Sequence, residues 1–91
     1  MSRLRRELIT IRGESFTVRE WTPAERSEAM KQRNADMSLL SATVAYYCTL
    51  GETGERYFKS MDAVLAEPAG LIDELCAAAI RLSTEDDEKN A

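Results

Sequence analysis

Cys48 and Cys76 are the only cysteines in the 91-residue sequence, and no histidine accompanies them. A two-cysteine metal site would need further ligands. The missing histidine removes both the usual physiological-pH acid–base group and the usual triad base. Each cysteine falls within a helical apolar pattern, which assigns it as a reduced, buried small hydrophobe. The acid pairs Asp73/Glu74 and Asp86/Asp87 raise hydrolysis or metal binding. Adjacent carboxylates on a helix point in different directions, however, and acids in a tail have no scaffold to fix them. Solvated surface is the simpler reading. Gly51-Glu52-Thr53-Gly54 shares two glycines with a phosphate loop but lacks the Gly-Lys-Ser/Thr ending and a preceding buried strand. Arg3, Arg5 and Arg6 could touch phosphates, yet the pI is about 4.8 and no helix-turn-helix pattern follows. The expectation is a chain that is not an enzyme, with no catalytic residue, cofactor or metal and no nucleic-acid partner. A binding module remains.

The elements that would carry such a module begin with an alternating strand pair. Residues 7–12 and 15–20 alternate, and a connection at Gly13-Glu14 suits a type II′ turn. This alignment sets Ile11 opposite Phe16 and Ile9 opposite Val18 on one face, with Thr10 opposite Thr17 and Leu8 opposite Arg19. A one-residue slip would destroy the apolar face. A hairpin alone is marginal in water, so that face must pack on helices or on another subunit.

Thr22 is a good N-cap, Pro23 suits the first helical position, and Glu25 completes a capping box. The helix over 23–34 is largely polar, with Ala24, Ala29 and Met30 as a narrow dry stripe, and Trp21 covers its junction with the hairpin. A second helix over 37–50, capped by Asn34 or Asp36, is apolar nearly all round. That makes it the central core element, an interface, or both; the sequence leaves open whether it fuses with the first. Gly51 to Arg56 is rich in turn residues, and Tyr57-Phe58 returns the chain to the core. Ser60 caps a short helix over 61–66. Pro68 starts a last helix over 68–82, with Leu71, Ile72, Leu75, Cys76, Ala79, Ile80 and Leu82 in 3.6-residue spacing. Residues 84–91, with Glu85-Asp86-Asp87-Glu88, read as a disordered acidic tail.

The expected fold is therefore α+β and mainly α-helical: an N-terminal β-hairpin followed by three to four helices in a small bundle. A single domain over 1–83 is expected to precede the tail 84–91. A domain of this size buries only about 60–65% of its unfolded surface, so folding leans on self-association or a partner. No apolar run approaches the ~20 residues of a membrane span. A cytoplasmic chain is the expectation, with no membrane contact. The net charge of −4 is divided unevenly. Residues 1–33 hold eight basic side chains against five acids, and residues 34–91 hold four against eleven. Opposed ends favour head-to-tail association or a partner of mixed charge, unless both are merely solvated faces.

The candidate surface for a partner or for self-association comprises Ile9, Ile11, Phe16, Val18, Trp21, Leu40, Val44, Tyr46 and Tyr47. Tyr46 and Tyr47 form either a recognition patch or a filling of the core with hydroxyls at its edge. An aspartate at Leu40 or Val44 would bury an unpaired charge and is expected to abolish folding or assembly.

The order of these elements resembles the tail assembly chaperones of long-tailed bacteriophages and their prophages. The resemblance rests on the Ile9-to-Val18 hairpin, the passage V-R-E-W-T-P-A-E-R from Val18 to Arg26, and the apolar middle helix. It continues through G-E-T-G-E-R-Y-F from Gly51 to Phe58 to the leucine-rich last helix ending at Leu82-Ser83, and covers roughly residues 5–83. It implies a protein that binds the tape-measure protein, keeps it soluble and helps recruit tail tube protein during tail morphogenesis. It also implies homo-oligomers in the host cytoplasm and absence from the mature virion. Members of that family often make a longer product by ribosomal frameshifting, and Glu88-Lys89-Asn90 is compatible with the codons of a slippery A-AAA-AAC heptamer. The rival reading is a small acidic adaptor or regulatory protein, such as a toxin-neutralising partner. A structural virion subunit is a third.

Overall fold

The computed structural model describes residues 3–36 and 38–90, with side chains described through residue 84. The chain begins with a hairpin of β1 (Arg6–Ile11) and β2 (Glu14–Arg19). Helices α1 (Pro23–Ala35) and α2 (Leu39–Cys48) follow, then a two-residue strand β3 (Thr49–Leu50). A short α3 (Met61–Leu65) and a long α4 (Ala69–Asn90) complete it. The fold is α+β and mainly helical, with one antiparallel sheet in the order β1-β2-β3.

The hairpin forms, but in a register two residues away from the expected one. Ile9 faces Phe16, Glu7 faces Val18, Leu8 faces Thr17, and Ile11 faces Glu14. The connection is thus Arg12-Gly13, with φ of 55° and 80°. Positive φ at both central positions is the mark of a type I′ turn, not II′. A shift of two preserves side-chain parity, so Ile9, Ile11, Phe16 and Val18 still share the inner face. Ile11, Phe16 and Val18 are buried there.

The start of α1 matches its expectation in full. Glu25 N–H donates to the Thr22 hydroxyl (3.2 Å), and the Thr22 N–H donates back to the Glu25 carboxylate (3.0 Å). Of the expected dry stripe only Ala29 is buried; Ala24 and Met30 are exposed. Neither Asn34 nor Asp36 caps α2, whose N-cap is Ser38 without a side-chain bond. Asp36 instead ends α1, and its carboxylate accepts from both the N–H and the hydroxyl of Ser38. The two helices are separate, and Met37 lies outside the described residues.

Helix α2 is the hub, packed against α1, α3 and α4. It ends at Cys48, short of the expected 50, because Thr49 and Leu50 pair with Val18 and Thr17 of β2. The Gly51–Arg56 loop folds back beside this third strand: Tyr57 N–H donates to the Thr49 carbonyl (2.9 Å) and Leu50 bridges Arg56. Ser60 caps α3 through Ala63 N–H (3.2 Å), as expected. The last helix exceeds its expected end at 82. The stretch from residue 84, read above as a disordered tail, is helical to Asn90, and Ala91 lies outside the described residues. Glutamate and lysine are good helix formers. Ser83 and Thr84 turn their hydroxyls back to the carbonyls of Ala79 and Ile80 (3.1 Å each) and so do not break the helix.

Candidate binding surface

The nine candidate residues separate into three places. Ile11, Phe16, Val18 and Val44 lie in the core and face no solvent. Ile9, Trp21 and Leu40 are half-buried and packed against that core. Trp21, between the hairpin and α1 in the chain, packs partly against the core. Tyr46 and Tyr47, also half-buried, border a groove with the accessible apolar side chains of α3. The sequence pattern found the apolar face of the hairpin and the centre of α2. Those residues hold the protein together and are not free to bind.

The accessible groove, of about 410 Å³, lies where α1, α2 and α3 meet. Leu39, Tyr46 and Tyr47 come from α2, Met61 and Leu65 from α3, and Glu28 and Gln32 from α1. The tyrosine rings meet edge to face at 5.4 Å. The Arg56 guanidinium stacks 4.4 Å above Tyr46, 5.2 Å from Tyr47, and donates to the Tyr46 hydroxyl (3.0 Å). Cation–π contact and hydrogen bond together hold the pair as one rigid aromatic wall.

Thr43 also borders this groove. Its hydroxyl is buried, with no hydrogen-bond partner among the described residues. A buried unpaired hydroxyl costs about 1–3 kcal/mol. Leu65, 55% exposed, stands between this groove and a second one of about 480 Å³ floored by Ala42, Val64 and Ile72. The rims are acidic: Glu28 on the first groove, Glu67 and Asp73 on the second.

Leu65, Met61 and Leu39 were not singled out from the sequence. The apolar set Met61, Val64 and Leu65 has the i, i+3, i+4 spacing of one helix face, so the sequence carried no signal that Leu65 would stand in solvent. Val64 took the inward place.

A polar joint fixes α1 relative to the sheet. Arg19 of β2 holds Glu25 in a bidentate pair, both bonds 2.8 Å, while Glu25 also caps α1. The bond to Glu25 raises the Arg19 pKa, although burial opposes it. Burial alone would push the Glu25 carboxyl up. The bonds from Arg19 and Thr22 outweigh it and hold the carboxyl below its usual value. The cysteines are free and buried, and burial pushes the Cys48 thiol up to about 12. No group of three or more metal-ligating side chains occurs among the described residues. No described helix is long and apolar enough to cross a membrane.

No family model, curated protein or solved structure matched the chain.

Proposed function

We propose that this protein is a tail assembly chaperone of a long-tailed phage or prophage, not an enzyme, and that it binds the tape-measure protein through the α1–α2–α3 groove. The observation that supports this reading most is the exposed Leu65 ridge between two apolar grooves on one side of the molecule. A tape-measure chain is a long helix whose apolar stripe aggregates when left open. An amphipathic helix seats such a stripe in an apolar groove through residues at i, i+3 and i+4. Tyr46 and Tyr47 supply rigid contact area, and the acidic rims select a stripe flanked by basic residues.

The interface is small, so single contacts are weak. Several copies along one tape measure suit a chaperone that tail tube subunits must later displace. On this reading the protein works in the host cytoplasm and is absent from finished virions.

Co-expression with the long helical protein encoded just downstream tests the proposal. That protein should become soluble and co-purify with the wild-type chain, and should lose both properties with Leu65→Asp. Indifference of the downstream protein to the wild-type chain would reject the chaperone reading and favour a small acidic adaptor, for which an adjacent toxin gene would be the expected neighbour.

A further inference from the structure

Strand β1 is the open edge of the sheet. The Glu20 N–H donates to the Arg5 carbonyl (3.0 Å), which sets the phase of the ladder. Odd-numbered residues of β1 bond to β2, so the N–H and C=O of Arg6, Leu8 and Thr10 point away from it. Such an edge is a template for another strand unless it is short, bulged, covered or charged. Here it is six residues long and free of proline. Its inward carboxylate, Glu7, is paired with Arg81 of α4. Leu8, at its centre, is 71% exposed.

We propose that β1 pairs antiparallel with β1 of a second copy of this chain, about a two-fold axis at Leu8. With Leu8 opposite Leu8, Arg6 falls opposite Thr10 in both directions. These are the three residues whose backbone groups face outward, so the pairing uses all of them and forms six hydrogen bonds. It sets no like charges opposite one another, and it covers each exposed Leu8 with the other. The result is one continuous six-stranded sheet.

Helix α4 fits the same axis. It runs antiparallel to β1: Arg81 holds Glu7, Ala77 and Ala78 border Ile9 and Thr10, and Gly70 lies under the Arg12 guanidinium. It packs on both β1 and β2. With strands about 4.8 Å apart, the two copies of α4 then lie about 10 Å apart, close to the spacing of packed helices. Glu74, Ala77 and Arg81 form the row of α4 beside the strand edge, all exposed. The axis makes the two helices antiparallel, so Glu74 of each copy comes within side-chain reach of Arg81 of the other, across the small Ala77. The surface complements itself in charge as well as in hydrogen bonding, as a two-fold interface must. This closed pair differs from the open head-to-tail stack that the charge division along the sequence favours.

The inference concerns this chain alone and is independent of the tape-measure protein. Sedimentation of the purified full chain from about 1 µM to about 1 mM should show a monomer–dimer equilibrium. Leu8→Lys, which sets two ammonium groups side by side at an exposed position, should raise the dissociation constant at least roughly ten-fold with the circular dichroism unchanged. Leu8→Cys should cross-link to a disulfide dimer on mild oxidation, because the paired Cα atoms lie about 5.5 Å apart, within disulfide range. Ser15→Cys, exposed on β2, should not. A strict monomer throughout overturns the proposal, as does a dimer that tolerates Leu8→Lys while Leu8→Cys cross-links no faster than Ser15→Cys.

Discussion

Helices α3 and α4 both pack on α2, but they bury their apolar residues to different extents. Over about three turns, α4 seats Leu71, Ile72, Leu75, Cys76, Ala78, Ala79 and Leu82 in the core. With five residues, α3 seats Val64 and leaves Leu65 in solvent. Both have apolar residues at helical spacing. What differs is how many turns repeat the pattern, and so whether a second apolar row can also be buried. Of the residues of α3 only Val64 is fully buried, while Met61 and Ala63 pack partly against the core. The surplus leucine stays at the surface, where a partner can reach it.

Substitutions at the buried centre shared by both helices should have the largest effect. Val44→Asp places an unpaired carboxylate where the wild-type side chain is fully enclosed. It should cost about 4 kcal/mol or more and leave no cooperative thermal transition. The half-buried Leu40→Asp should keep a transition at reduced temperature. Leu75→Ala, on the side of α4, should cost about 3 kcal/mol in urea unfolding, and Val64→Ala, at the one fully buried residue of α3, about 2 kcal/mol. Equal losses at these two sites would erase the contrast between the helices.

The joint of α1 should rank next, since it rests on hydrogen bonds and not on packing. Glu25→Gln should cost about 1–2 kcal/mol at neutral pH. The sign with pH follows from the lowered carboxyl. Its contribution is complete above the unfolded value near 4.5 and is lost as pH falls through the lower folded value. The wild-type advantage over Glu25→Gln should therefore shrink on acidification below about pH 4.5. An advantage that grows in acid would show that the pair does not favour the ionised carboxylate. The smallest effect on stability belongs to Leu65→Ser, within about 0.5 kcal/mol, although on the proposed function it should abolish rescue of the downstream helical protein. A stability loss there equal to that of Val64→Ala would place Leu65 in the core and remove the groove.

The fold was legible where several local signals agreed. Thr22, Pro23 and Glu25 mark one helix start by three separate mechanisms, and all three appear in the structure. The alternation of Ile9, Ile11, Phe16 and Val18 located the inner face for the same reason. What stayed hidden depends on contacts distant in sequence. Thr49 and Leu50 continue the apolar run of α2 and are strand only because β2 offers an edge. The helical stretch after Thr84 has the composition of a solvated tail, and charge density alone does not distinguish that from an exposed helix. The proposed binding surface was the least legible part. Sequence pattern ranks residues by apolarity, which draws the eye to those the core has already taken.

The hairpin slip has a consequence for how the chain folds. Two alignments of β1 on β2, two residues apart, bury the same four side chains, so early collapse cannot choose between them. Turn geometry favours the observed one only at the cost of holding Arg12 in left-handed backbone. Both ends of β1 are then fastened to α4, Glu7 to Arg81 and Arg12 beside Gly70. A strand out of step by two would miss both fastenings. Helix α4, which follows the hairpin in the chain, thus favours the observed register over the slipped one.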